Sequence, residues 1–541
     1  MKRTRMKMGK RGVALAALLA ALALAGYGVA FACTSIAVSK GASVDGSVMT
    51  SQTGDGGIEE PVIKIVPAAD YKAGEMRKVY WNSTLRSPKD PQFEPLTYKG
   101  EIPQAAHTYA YTSAIYGVQN EHQLSFGETT IWVGERPELR DPEGMFDIVE
   151  LSHVAAERCK TAREAVKLMG ELVNTYGYCD GGECLTVADP NEVWFFEVYG
   201  ATPLAKSGVW AAQRVPDGEI GVSANRARIG EIDLKKADYF MASPNVTSLA
   251  KEKGWWDGKK AFSFRDAYCP DNGSFYSQRR EWRALSLLAP SLKLDPWTRA
   301  FPFSVKPDKK VSVADITRVF RDHYEGTEFD LTKGLAAGPF GSPDRFATQG
   351  FNNGTWERAL SIYRAEYSWI SQSRSWLPDA VGGVVWWGWD APHATCYVPL
   401  YCGNTALPAG YDIGYRGEFD RNSASWAFAF VQNISNLRYD LMSQDIKARY
   451  TAIEAEEFAL QPVVEKAAAE LYAKDKALAV AYLTKYSVDT GNGIVQGWWK
   501  FGEQLIAEYN DGYRNVKKAG EKIGYPEEWL KAVGYGPIQK K

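Results

Sequence analysis

Cys33 follows Ala30-Phe31-Ala32, a small-x-small triplet of the kind after which signal peptidase cuts. Cleavage there would place a thiol and a free α-amine on one residue. An α-amine titrates at about 7.7–8.0, well below a lysine, so it can take up the thiol proton and leave a thiolate. Such a nucleophile needs no separate histidine base, and the chain has only five His, none in a metal-like pair. Seven Cys is an odd number. One free nucleophile would leave six to pair in an oxidising compartment, with Cys179/Cys184 and Cys396/Cys402 as the local pairs. Spacing alone reads equally well as a set of buried thiols. The second chemical residue is Asp55. If Ser39 faces Ser47 across a hairpin, Cys33 faces Thr53, and alternation puts Asp55 one step further on the same face. A carboxylate there could hold or orient the α-amine. The plainer reading is a turn-capping Asp in a Gly-rich loop.

The elements that would carry these residues alternate between hairpins and helices. Residues 33–39 and 47–53 read as strands around the Asp45-Gly46 turn. Further hairpins are expected for 114–118 with 124–133, 184–188 with 193–199, and 209–215 with 220–224. Residues 146–176 read as two helices, the second opened by the Thr161-x-x-Glu164 capping box. Hairpins around a helical pair indicate a layered α+β fold. Residues 341–354 read as a long loop, 382–389 as a buried strand, and 423–509 as mostly helical. In Trp386-Trp387-Gly388-Trp389, alternation sets Trp387 on one face and Trp386 and Trp389 elsewhere, which favours core packing over a sugar platform. Residues 446–486 suit a packing or dimer face, so self-association stays open.

Ahead of Cys33, residues 1–32 hold six basic residues and no acidic one, then an unbroken apolar run. This is the layout of a signal peptide, so the protein is expected to be exported, periplasmic or extracellular, with no membrane attachment once the leader is removed. The remainder carries 57 basic and 65 acidic residues, an acidic balance that argues against nucleic acid as a ligand. The chain shows no zinc-type Cys/His spacing, phosphate-binding Gly loop or Gly-x-Ser-x-Gly elbow, and no cofactor or metal is expected. The division expected is a leader at 1–32, a catalytic domain at 33–422 and a mainly helical extension at 423–541.

A longer set of segments carries a resemblance. These are Cys33-Thr34-Ser35-Ile36-Ala37-Val38 with Asp45-Gly46-Ser47, Asn120-Glu121 with Gly127-Glu128-Thr129-Thr130, and Ala188-Asp189-Pro190 with Glu192-Val193-Trp194. They continue with Ser223-Ala224-Asn225-Arg226-Ala227-Arg228-Ile229, Arg279-Arg280-Glu281-Trp282-Arg283, His323-Tyr324-Glu325-Gly326-Thr327 and Val385-Trp386-Trp387-Gly388. In this order they resemble the dipeptidases of peptidase family C69. The resemblance implies an N-terminal-nucleophile hydrolase fold, a four-layer αββα sandwich, acting on short peptides through Cys33. It also implies roles for Asp55, for Asn225 as an oxyanion donor with a backbone N–H near Thr129 or Thr130 as the second, and for Arg280, with Arg279 and Arg283 competing. Amidases of the same fold carry an Arg where this chain has Gln52. Two other readings remain: a related amidase acting on a non-peptide amide, and a binding protein anchored by a lipid on Cys33.

Overall fold

The computed structural model describes residues 33–56, 61–81, 96–131, 136, 138–201, 207–270, 274–346, 348 and 356–536. The expected leader, 1–32, lies outside these residues, as do 347 and 349–354 of the expected loop. In chain order the main strands are β1 (Ser35–Val38), β2 (Val48–Gly54), β3 (Lys64–Val66), β4 (Tyr111–Ser113), β5 (Gly117–Asn120), β6 (Ser125–Ile131), β7 (Gly182–Ala188) and β8 (Val193–Tyr199). They continue with β9 (Val209–Arg214), β10 (Ile220–Ser223), β11 (Phe240–Ala242), β12 (Ser304–Val305), β13 (Tyr367–Ser373), β14 (Val384–Trp389) and β15 (Val398–Tyr401). They form two antiparallel sheets. The seven-stranded one runs β12-β10-β1-β2-β13-β14-β15 and the eight-stranded one β11-β9-β8-β7-β6-β5-β4-β3.

The two sheets meet where β2 lies against β6 and β7. Small residues permit the approach. A Cβ at Gly127 would lie 2.5 Å from the Ser51 carbonyl oxygen and 2.6 Å from Thr186 Oγ1. Hydroxyl pairs tie the sheets together: Thr50 to Thr186, and Thr129 to Ser223, each at 2.6 Å. Buried hydroxyls must find partners, and these find each other, so this part of the interface is polar and specific.

The longer helices pack around the sheets. They are α1 (Ile148–Arg158), α2 (Ala162–Tyr176), α3 (Phe275–Leu288), α4 (Val313–Phe320), α5 (Ala424–Ser435), α6 (Tyr439–Tyr472) and α7 (Lys476–Tyr509). Helix α2 begins at the capping box read from the sequence, with Thr161 and Glu164 bonding each other's backbone N–H. It packs on β7, β8 and β9, while α1 packs on β5. On the seven-stranded sheet α3 contacts β10 and α4 contacts β13. Helix α7 contacts β15, α5 and α6. The expected 446–486 helical stretch is broken at 473–475, where Asp475 caps α7 by accepting from the Ala477 and Leu478 N–H groups. Its apolar residues are in the core: Ile446 in one cluster, Val464, Ala468 and Leu483 in another. Among the described residues no helix is long and apolar enough to cross a membrane.

Several local expectations need correction. Val38 pairs with Met49, and Thr34 with Thr53, one residue away from the expected Ser39–Ser47 register. The connection is not a tight Asp-Gly hairpin. It contains a 3₁₀ turn at Lys40–Ala42, and the Asp45 side chain accepts from the Ser47 N–H. Residues 209–214 and 220–223 do not form a hairpin either. β9 pairs with β8 and β11, whereas β10 pairs with β1 and β12, so the turn between them carries the chain from one sheet to the other. The strand expected at 114–118 begins at Gly117, after a bend that separates it from β4. Trp387 and Trp389 share one face, with ring centroids 5.2 Å apart, and only Trp386 turns to the other core. All three are buried, as core packing requires. Every one of the seven cysteines is a free thiol, including the four in the expected local pairs. Cys402, for example, donates to the Asp379 carbonyl at 3.1 Å instead of meeting Cys396.

Candidate active site around Cys33

Cys33 lies just before β1 and is buried. With Thr34 opposite Thr53, Cys33 stands opposite Gly54, and strict alternation would send Asp55 to the far face. The chain leaves β2 after Gly54, and this departure brings Asp55 to the thiol. A Cβ at Gly54 would lie 2.7 Å from the Tyr367 ring, so the strand end needs glycine. The backbone N–H of Asp55 lies close enough to the Cys33 sulfur to favour its thiolate, against the opposing push of burial. Its carboxylate is buried, accepts from Thr53 Oγ1 at 2.9 Å, and is ion-paired with Arg358. The other oxygen, Oδ1, has no hydrogen-bond partner. Thr53 Oγ1 in turn accepts from the Thr34 N–H at 3.0 Å, which locks the two strand ends together.

Arg280 reaches the same place from α3 and is fully buried. One terminal nitrogen, Nη1, donates to the Cys33 carbonyl at 2.7 Å and to Thr34 Oγ1 at 3.0 Å. The other, Nη2, donates to the Ala224 carbonyl at 3.2 Å and to Asn225 Oδ1 at 2.7 Å. Its neighbours on α3 look elsewhere: Arg279 pairs with Glu357 and Arg283 with Asp322. Burial, and then the nearby Arg358, push the Arg280 pKa down to about 9. Asn225 follows β10 with a left-handed backbone, φ 62°, a conformation that Asn tolerates better than most residues. Its Nδ2 donates to the Thr130 carbonyl at 2.9 Å. The fold therefore brings Cys33, Asp55, Arg280 and Asn225 together from four separate parts of the chain. The Thr129 side chain turns into the sheet interface toward Ser223, which leaves the expected backbone donor near Thr129 or Thr130 to the main chain.

Two carboxyls beside the thiol went unassigned in the sequence. Glu128 and Glu183 share a face of the β6–β7 pair, since Thr130 is opposite Glu183 and Glu128 is two residues away. Both are buried. Gln52 donates to Glu128 Oε2 at 3.0 Å. Burial raises the pKa of both carboxyls, and Glu128 raises Glu183 further. Burial, Glu128 and Asp55 in turn push the Cys33 thiol well above its ordinary value. Arg358 and Tyr276 were also missed. Arg358 lies 303 residues beyond Asp55, and no spacing rule links them. Glu128 stood in a quoted segment, and strand alternation gave no reason to aim it at Cys33.

His323 Nδ1 lies in hydrogen-bond contact with Glu325 at 3.1 Å, and its ring packs against His393. Among the described residues there is no group of three His, Cys, Asp or Glu side chains placed to hold a metal ion.

Residues 32–451 match Peptidase family C69. A probable dipeptidase of Latilactobacillus sakei is 27% identical over 494 residues, covering 88% of this chain and 95% of that protein. A probable dipeptidase of Salmonella dublin is 28% identical over 409 residues, 73% of this chain and 86% of its own. A dipeptidase of Bifidobacterium longum (strain NCC 2705) is 26% identical over 410 residues, 70% of this chain and 72% of its own. Matched over most of its length, with its buried cysteine one residue inside the start of the match, the chain belongs to peptidase family C69 and is a hydrolase.

Proposed function

We propose that this chain is an exported cysteine-type dipeptidase. Its nucleophile is the Cys33 thiol, and its base is the α-amine released when residues 1–32 are removed. The observation that carries this reading is the convergence of Asp55, Asn225 and Arg280 on Cys33 in a member of a peptidase family whose relatives are named dipeptidases. The family match begins at Ala32, which supports a leader that stands outside the enzyme. Two facing sheets with helices on either side support the αββα layering of N-terminal-nucleophile hydrolases, with α5, α6 and α7 as the helical extension beyond 422.

On this reading the freed amine sits within reach of the unpartnered Asp55 Oδ1, which orients it. The amine takes the thiol proton as sulfur attacks the scissile carbonyl carbon. A base at this point is useful because burial disfavours the thiolate. The tetrahedral oxyanion accepts from Asn225 Nδ2, held in place by Arg280 through Oδ1. As the C–N bond breaks, the leaving nitrogen takes the proton back from the ammonium. Water then hydrolyses the thioester, and the amine again serves as base.

Mass analysis of the exported protein tests the maturation step, which requires Cys33 as the first residue. Cys33→Ala keeps the amine but removes the sulfur, and it should fold yet hydrolyse no dipeptide. Cys33→Ser should retain a trace at most. A different mature start, or full activity in a folded Cys33→Ala protein, ends this reading.

A further inference from the structure

Beside the thiol network lies a cavity of about 280 Å³, its wall including Tyr276, Arg358 and Arg364. Small-ligand sites run to roughly 300–1,000 Å³, so this one, just under that range, suits only a small ligand such as one or two amino acids. It is close to the nucleophile through three separate links. Arg358 is paired with Asp55. Arg364 Nη1 donates to the carbonyl of Gly56, the next residue, at 3.2 Å. Arg280, which holds the Cys33 carbonyl, lies 5.8 Å from the centre of the Tyr276 ring.

The charges in this wall do not balance. Glu357 is occupied by Arg279, and Asp55 by Arg358. Asp344 accepts from Gln432 and Asn436, and burial raises its pKa. Arg364 has no carboxylate partner among the described residues: its hydrogen bonds go to the Gly56 carbonyl and, at 3.3 Å, to the Tyr276 hydroxyl. Against the upward push of burial, Arg358, Arg364 and Arg280 hold the Tyr276 phenol below its ordinary pKa. A half-buried guanidinium, a phenol among three cations and a small cavity make a place that lacks an anion.

We propose that Arg364, supported by the Tyr276 hydroxyl, binds the free α-carboxylate of the amino acid that leaves, and so restricts cleavage to peptides with a single residue after the scissile bond. This rests on the reading of Cys33 as nucleophile. In a dipeptide the carboxylate carbon is three bonds past the scissile carbonyl carbon, so both ends of the leaving residue are held in one small cavity. Arg suits the task because its planar fork matches a carboxylate with two parallel hydrogen bonds. A longer peptide would place a neutral amide opposite Arg364 and leave the charge unmatched.

The test compares alanyl-alanine, its C-terminal amide and alanyl-glutamate amide, which keeps a carboxylate only on its side chain. The mature wild type, Arg364→Met and Arg364→Lys are assayed for kcat and KM. Binding of alanyl-alanine to Cys33→Ala and to Cys33→Ala/Arg364→Met is measured by calorimetry. Charge-assisted hydrogen bonds of this kind predict a preference of the wild type for acid over amide on the order of 10- to 100-fold, carried mainly by KM. Arg364→Met should bring that ratio toward one, Arg364→Lys should recover part of it, and the double variant should bind the dipeptide more weakly by the same factor. Equal cleavage of acid and amide by the wild type, or an unchanged ratio in Arg364→Met, overturns the proposal. A preference restored by the side-chain carboxylate overturns the assignment to the chain terminus. The binding arm separates the two readings: Arg364-dependent binding to Cys33→Ala, with no hydrolysis by the mature wild type, supports the carboxylate site and rejects the nucleophile.

Discussion

Replacing Arg280 by Lys keeps the positive charge and removes the fork. In the structure Nη1 serves Cys33 and Thr34, while Nη2 serves Ala224 and Asn225. A lysine ammonium is a single point and can satisfy one of these pairs but not both. At least two hydrogen bonds from a charged donor are therefore lost, each worth about 1.5–3 kcal/mol net, which predicts a loss of at least about 3 kcal/mol in stability. The effect on rate should be separate. With Nη2 gone, Asn225 Oδ1 loses its bond to Arg280, and Nδ2, still bonded to the Thr130 carbonyl, is held less firmly toward the oxyanion. Loss of an oxyanion donor costs about 2.7–4 kcal/mol, or on the order of 100- to 1,000-fold in kcat. Dipeptide hydrolysis by mature Arg280→Lys, with urea unfolding of the same samples, reads both quantities. A protein destabilised by about 3 kcal/mol but with kcat within about threefold of wild type would refute the catalytic part: Arg280 would then only clamp the two strand ends.

Asn225→Asp keeps a side chain that tolerates the left-handed backbone but removes the amide donor, so kcat should fall while the folded state persists; Asn225→Gly should fold too, with a similar fall in kcat. Wild-type kinetics in either variant would exclude Asn225 as the oxyanion donor. Burial raises the Glu197 pKa from 4.5 to about 7, where it accepts from the backbone N–H groups of Arg228 and Ile229. A raised folded-state value means the native protein binds the proton more tightly than the unfolded chain, so the associated stability is present at low pH and is lost as pH climbs from about 4.5 to 7. That window corresponds to about 3 kcal/mol, and Glu197→Gln should flatten the Tm-against-pH curve across it. An unchanged curve would contradict the assignment. Glu183→Gln should raise the urea midpoint at pH 7 by removing one of two adjacent buried carboxyls; a lower midpoint would mean that the pair is better matched than its burial suggests.

What the sequence made legible was local. The β7–β8 hairpin, the capped α2 and the buried β14 are each written in a few consecutive residues, through turn chemistry, a cap and an apolar run. Reach was harder. The 3₁₀ turn after β1 shifts the register by one, and the placement of Asp55 then depends on where β2 ends rather than on alternation. The jump of β9 and β10 into different sheets looked like a hairpin because the Pro216–Glu219 turn is the same local signal in both cases. The family resemblance pointed to Arg280 and Asn225. Arg358, Glu128 and Arg364 could not be assigned, because tertiary approach leaves no periodic mark on the chain.

Buried ion pairs also decide when the site can exist at all. Glu281, next to Arg280 on α3, accepts from both Arg226 and Arg228 at 3.0 Å, so the segment carrying Asn225 and the helix carrying Arg280 are fixed as one piece. Asp55 waits for Arg358 across 303 residues. Contacts of such sequence separation form late, after the intervening loops have closed. A nascent chain therefore carries Cys33 before Arg280 and Arg358 have reached it. Peptide cleavage should switch on only once the distant half of the molecule has arrived, so a chain lacking or misfolding that half should be inactive.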